Sequence, residues 1–251
     1  MFLNIAHRGD SVHAPENTLP AFELAIESGA TAVEMDLRCT ADGHVVVMHD
    51  KSIDRTTDGT GTLANLSLEH VRRLDAGAWF GEQFAGEKVP TLEEVFDRVV
   101  DRVPLVLHVK DVRSGIEEAV TREMHRRGAV DRVTVSSEHR EVLALIRRLV
   151  PEVETTWIAW FRDWRWWMWY VAGKVRQLGA QRVAPPGKQV TGAMVEYFHS
   201  RGIAVRAWGV GRDERLARRL VSLGVDGMTF DEPRRLAALL DTTIPTDRDT
   251  A

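Results

Sequence analysis

Short apolar runs alternate with amphipathic stretches along nearly the whole chain, and this alternation limits the possible folds more than any other feature. Strands are expected at Leu3–His7, Ala32–Leu37, Leu105–Lys110, Val133–Ser136, Thr155–Ala159, Arg182–Ala184, Ala204–Trp208 and Asp226–Phe230. Val45–Met48 adds a hairpin excursion after the second. Helical patterns follow at Leu19–Ser28, Leu92–Val100, Gly115–Arg127, Glu138–Leu149, Trp164–Gln177, Gly192–Arg201, Asp213–Leu223 and Pro233–Leu240. Eight strand–helix units in 251 residues match the size and count of an α/β (β/α)8 TIM barrel. A doubly wound open sheet is the competing parallel fold, but no Gly-x-Gly-x-x-Gly turn follows the first strand. Residues 51–90 break the alternation with turn-rich pieces and one short helix near Leu68–Leu74. They are expected to form a small insertion between the second strand and its helix, lying over the mouth of the barrel. The tail 241–251 is polar, contains Pro245 and is expected to be disordered, so residues 1–251 read as a single barrel domain.

Composition narrows the function classes. A formal charge of −4 provides no basic field for nucleic acid. The single cysteine, Cys39, excludes an intrachain disulfide and fits a reducing compartment. With no signal peptide and no spanning apolar stretch visible, a cytoplasmic protein is expected.

Chemistry concentrates in the first fifty residues and at the C-terminal strand ends, where barrels of this kind build their sites. Glu34 and Asp36 are two apart on a β-type run, so they share a face. Asp42-Gly43 marks a hairpin, and a turn centred between them sets Asp36 opposite His49. His7, Arg8, His108, Lys110, Ser136, Trp208 and Asp231 fall at other strand ends. Paired carboxylates suit one divalent ion, Mg²⁺, Ca²⁺ or Mn²⁺. Arg8 and Lys110 suit phosphate as fork and point charge, and His7 and His49 suit general acid–base work. Together these describe metal-assisted phosphodiester cleavage.

The pattern is a familiar one. His7-Arg8-Gly9, Pro15-Glu16-Asn17-Thr18, Glu34-x-Asp36, Thr40-x-Asp42-Gly43 and Val46-Val47-Met48-His49-Asp50 resemble the glycerophosphodiester phosphodiesterase family. Arg55-Thr56-Thr57, Pro90-Thr91-Leu92 and Thr229-Phe230-Asp231-Glu232-Pro233 extend the likeness over the whole chain. The resemblance implies a barrel, a divalent metal, and hydrolysis of glycerophosphodiesters to an alcohol and glycerol 3-phosphate. It implies His7 and His49 as the acid–base pair, Glu34 and Asp36 as metal ligands, and Arg8 as a phosphate contact. His7 is expected to activate the nucleophile, water or a glycerol hydroxyl, and His49 to protonate the leaving oxygen.

The chain departs from the family in two places. His108-Val109-Lys110 stands where Glu-x-Lys is usual, so His108 is expected to replace a carboxylate as the third metal ligand and to shift preference toward Mn²⁺ or another borderline metal. Trp208-Gly209-Val210-Gly211 replaces Trp-Thr-Val-Asn, leaving Trp208 as the substrate contact. Six of the eight tryptophans lie between Trp157 and Trp169. At helical spacing Trp157, Trp160, Trp164, Trp167 and Val171 form one stripe, with Trp166, Trp169, Tyr170, Arg162 and Arg165 elsewhere. Tryptophan with arginine suits a membrane–water interface, so Trp157–Tyr170 is expected to make peripheral membrane contact and to favour lysophospholipid substrates, a lysophospholipase D-like activity. The competing functions are a lipid- or phosphodiester-binding barrel impaired by the change at His108, and a phospholipase of a related barrel type.

Overall fold

The structure is a computed structural model that describes residues 2–112, 115–160 and 164–243. Its strands are β1 (Leu3–His7), β2 (Ala32–Cys39), β3 (Val45–Val47), β4 (Leu105–Val109), β5 (Val133–Ser137), β6 (Glu154–Ile158), β7 (Arg182–Ala184), β8 (Ala204–Ala207) and β9 (Gly227–Phe230). Its helices are α1 (Leu19–Glu27), α2 (Leu68–Arg73), α3 (Leu92–Arg98), α4 (Ile116–Arg126), α5 (Arg140–Leu149), α6 (Trp164–Leu178), α7 (Gly192–His199), α8 (Glu214–Ser222) and α9 (Pro233–Thr243). All strands but β3 are parallel, and β1 pairs with both β2 and β9, so the sheet closes into an eight-stranded barrel with helices between its strands.

The strands read as nearly unbroken apolar runs because alternate residues serve two different cores. Val33, Met35, Leu105, Leu107 and Val135 point outward and pack on helix residues such as Phe22, Phe96 and Phe198. The intervening residues point inward, and the pairing registers stack them in layers. Ile5, Val106, Thr156 and Arg206 form one layer. Glu34, Ser136, Ala184 and Thr229 lie above it, and His7, His108, Ile158 and Trp208 above those. The upper barrel is therefore lined with polar groups, opposite in character to its outside.

The segment between β3 and α3 carries its own small apolar cluster, with Val46, Met48, Ile53, Leu63, Val71, Ala76 and Val89 buried. It is joined to α3 through Glu94, which accepts from Arg72 and completes a capping box with Thr91.

Three details differ from the sequence-based expectations. The β2–β3 register pairs Leu37 with Val47 and Cys39 with Val45, and Met48 rather than His49 donates its amide to the Asp36 carbonyl, at 2.9 Å. The turn is centred on residue 42 because Gly43 adopts φ +83° and closes a three-residue loop between Thr40 and His44. Trp157 belongs to β6 and Trp160 to the following loop, so the tryptophans do not form a single helical stripe. Arg162 and the side chains of Trp164, Arg165 and Trp166 lie outside the described residues. Helix α9 runs to Thr243 and takes in the first residues of the expected tail, while 244–251 lie outside the described residues. Among the described residues no helix is long and apolar enough to cross a membrane.

Candidate active site

The first turn after β1 positions the group. Arg8 and Gly9 take left-handed conformations, φ 59° and 85°, which turn the chain sharply off the strand. The Arg8 amide then donates to Glu34 Oε2 at 3.0 Å, and its guanidinium meets Glu16 at 2.7 Å and Asp36 at 3.2 Å. Gly9 is required there because a Cβ would lie 2.6 Å from the Ala21 backbone. Asn17, also left-handed, clamps Asp36 from both sides: its amide donates to Oδ2 at 3.0 Å and its oxygen accepts the Asp36 backbone N–H at 3.2 Å.

Asp36 and His108 are register partners on β2 and β4, which brings their side chains together inside the barrel. His108 Nδ1 lies 3.3 Å from Asp36 and 3.5 Å from Glu34, while Nε2 meets Glu138 Oε2 at 2.6 Å. One ligand atom from each of Glu34, Asp36 and His108 fits within a 4.8 Å cluster. Lys110 Nζ is 3.4 Å from Asp36.

Despite the shifted hairpin register, His49 reaches the mouth, where its backbone is held by Arg38. Arg38 Nε donates to the His49 carbonyl at 2.7 Å and Nη1 to Asp111 at 2.5 Å. The two site histidines are held alike: His7 Nδ1 meets Asp231 at 2.7 Å and His49 Nδ1 meets Asp50 at 2.7 Å. Each carboxylate favours the tautomer with Nδ1–H and leaves Nε2 for a ligand. Arg55 ties this wall together, bridging Asp50 at 2.5 Å and Glu16 at 2.8 Å.

His7, Arg8, Glu34, His49, His108, Lys110 and Trp208 line one cavity of about 200 Å³. Glu138, Ile158, Trp160, Arg206 and Thr229 complete its wall. Asp36 lies behind it, 1% exposed. Trp208 donates its ring N–H to the Ala184 carbonyl at 3.1 Å and meets Trp160 edge-to-face, with centroids 4.5 Å apart. A larger groove of about 530 Å³ lies outside the barrel between α6 and α7, lined by Trp169, Tyr170, Lys174 and Arg201 among others. It contains no carboxylate or histidine, so the smaller cavity is the chemical one.

The titrating groups separate by environment. Burial opposes charge on His7, but the hydrogen bond to Asp231 and the nearby Glu34 outweigh it and raise its pKa above the ordinary value. Burial, reinforced by Arg8 and Lys110, lowers that of His49 against the pull of Asp36 and Asp50. Burial also opposes charge on His108, but its bonds to Asp36, Glu138 and Glu34 push its pKa up to about 10. Burial would raise Asp36, yet His108, Lys110 and Arg8 hold it well below the usual carboxylate range.

The sequence singled out eight site residues, of which seven line this cavity and Asp36 lies directly behind it. That reading passed over Asn17, although the Pro-Glu-Asn-Thr motif pointed to it. It also missed Glu138 and Arg206, which carry no local signal and become visible only through the strand registers.

A family model described as the glycerophosphoryl diester phosphodiesterase family matches residues 7–235. The chain belongs to that family. Like the glycerophosphoryl diester phosphodiesterases, it is a phosphoric diester hydrolase. A glycerophosphodiester phosphodiesterase of Caldanaerobacter subterraneus subsp. tengcongensis is 36% identical over 242 residues, covering 95% of this chain and 97% of its own. Human glycerophosphodiester phosphodiesterase 1 is 52% identical over 92 residues, 36% of this chain and 28% of its own. An Oleispira antarctica phosphodiesterase, solved in complex with the product sn-glycerol-3-phosphate, superposes with a TM-score of 0.86 at 29% identity, covering 94% of this chain and 96% of its own.

Proposed function

We propose that this enzyme hydrolyses glycerophosphodiesters to an alcohol and glycerol 3-phosphate. In this reading one divalent metal ion is held by Glu34, Asp36 and His108, while His7 and His49 transfer protons. The observation that carries it is the convergence of the 4.8 Å Glu34–Asp36–His108 cluster with both histidines, Arg8 and Lys110 around one cavity. The product complex of the Oleispira relative supports the substrate class.

The donor set fits a metal that displaces the proton His108 otherwise shares with Asp36 and Glu34. Two ionised carboxylates and an imidazole nitrogen share one small volume, and Glu138 holds the far side of the His108 ring, as a partner carboxylate does behind a metal-bound histidine. A nitrogen in place of an oxygen favours Mn²⁺ over Mg²⁺ or Ca²⁺. When bound, the ion would polarise a phosphoryl oxygen. Arg8 and Lys110 orient the phosphate, and Trp208 packs on the substrate. The raised pKa of His7 suits the acid that protonates the leaving oxygen, and the lowered one of His49 suits the base. That is the reverse of the order expected from the sequence.

We read residues 1–251 as one cytoplasmic domain with 51–90 as the insertion. Lysophospholipids are accepted with the head in the cavity and the acyl chain outside on Trp160, which is 59% exposed. A cavity of about 200 Å³ holds a glycerophosphate head but not a chain. The test measures hydrolysis of glycerophosphocholine and lysophosphatidylcholine with Mg²⁺, Ca²⁺, Mn²⁺ or EDTA. Metal-dependent release of choline, greatest with Mn²⁺, is expected, with glycerol 3-phosphate left from glycerophosphocholine and lysophosphatidic acid from lysophosphatidylcholine. Turnover that survives EDTA, or none with any metal, overturns the reading.

A further inference from the structure

The polar groups around the cavity are committed to one another: His7 to Asp231, His49 to Asp50, His108 to Glu138, Lys110 to Asp36, and Arg8 to Glu16 and Asp36. Among the described residues Arg206, unlike Arg8 and Lys110, has no carboxylate at ion-pair distance. It is 3% exposed, lines the cavity, and finds no hydrogen-bond partner among the described residues for Nε or Nη1. Burial lowers its pKa to about 10, with Glu34 opposing and Arg182 adding, so it stays a cation at neutral pH. Two more polar atoms in the neighbouring interior positions, Ser136 Oγ and Thr156 Oγ1, are also buried without a partner. A desolvated guanidinium with no direct ion pair is costly, and an apolar side chain of that volume would be more stable.

Its place in the ring gives that cost a purpose. β8 lies diametrically across the barrel from β4, so Arg206 faces the Glu34–Asp36–His108 cluster from the far wall, beneath Trp208 and beside Thr229. A phosphate held on the cluster side directs one ester arm toward this wall. The small cavity limits that arm to a few heavy atoms. Trp208 and Trp160 suit its methylene groups, and a guanidinium suits its oxygens.

We propose that Arg206 reads the glycerol arm of the bound ester rather than the leaving alcohol, taking its hydroxyl oxygens at the floor of the barrel. This rests on the phosphodiesterase reading above and adds the residue that selects the arm. A site built around buried donors rejects an analogue without the matching hydroxyls, because those donors are then left unpaired.

The test is calorimetric titration of Mn²⁺-loaded wild type, Arg206→Met and Arg206→Lys with sn-glycerol 3-phosphate and with inorganic phosphate. Wild type is expected to prefer glycerol 3-phosphate. Arg206→Met should lose that preference by about tenfold or more, with a thermal midpoint no lower than wild type. Arg206→Lys, which keeps the charge and loses the fork, should lose part of it and decides the matter if the methionine variant does not fold. An intact preference in both variants overturns the proposal, as does an equal loss of both ligands, which marks a merely structural residue. Hydrolysis of glycerophosphocholine by the same wild-type sample separates the two readings. No turnover with an Arg206-dependent preference sinks the function alone, and turnover with an Arg206-independent preference sinks this proposal alone.

Discussion

His7 and His49 are chemically identical side chains with the same Nδ1–carboxylate support, yet their surroundings move them in opposite directions. The raised group, His7, is protonated up to a pH above about 6.5, and the lowered group, His49, is neutral down to a pH below that value. If His7 donates and His49 accepts, kcat/KM climbs through the His49 pKa, is highest between the two, and falls through the His7 pKa. Asp231→Asn removes the bond that raises His7, so the alkaline limb should move to lower pH while the acid limb stays. A pH–rate profile checks this, and an unmoved alkaline limb denies His7 the role. The order of proton transfer is tested with the leaving group. His7→Ala should lose activity on a choline ester far more than on a p-nitrophenyl ester, whose leaving oxygen needs no acid. Equal losses on both would return the base role to His7.

Among the elements, strand positions were legible because strands buried on both faces read as short apolar runs, and β1 and β7 appear at their expected bounds. The hairpin was legible as a hairpin but not in register. One left-handed glycine, Gly43, changes the loop from even to odd and slides β3 by one residue. His49 survived that error because it lies beyond the strand, where Arg38 rather than the ladder places it. Glu138 was beyond reach for a different reason: its partnership with His108 spans 30 residues and needs the β4–β5 register to be known first. The turn after β1 is the element most exposed to a small change. Gly9→Ala forces a β-carbon into the Ala21 backbone and an unfavourable left-handed conformation. The conformation costs about 1–2 kcal/mol, and the overlap adds about 1–3 kcal/mol. Denaturant unfolding should show the loss, and metal affinity should fall with it because the Arg8 amide releases Glu34. A variant as stable as wild type would mean that α1 yields without cost.

For the whole molecule, the position of the exposed tryptophans sets how it would meet a lipid. Trp160 sits at the rim against Trp208, whereas Trp169, 73% exposed, lies on α6 beside the cationic outer groove. If acyl chains leave the cavity over the rim, Trp160→Ala should raise KM for lysophosphatidylcholine several-fold and leave glycerophosphocholine nearly unaffected. Parallel steady-state kinetics decide it, and an equal change for both substrates removes the lipid role. The closed ring has a last consequence, one of timing. His7, the proposed acid, is on the first strand, and the carboxylate that orients it follows the last, 224 residues later. No partial barrel contains both. If His7 is the acid, a ribosome-bound chain that has folded everything up to β8 still lacks the carboxylate that raises the histidine's proton affinity, so activity is expected only once the ring shuts.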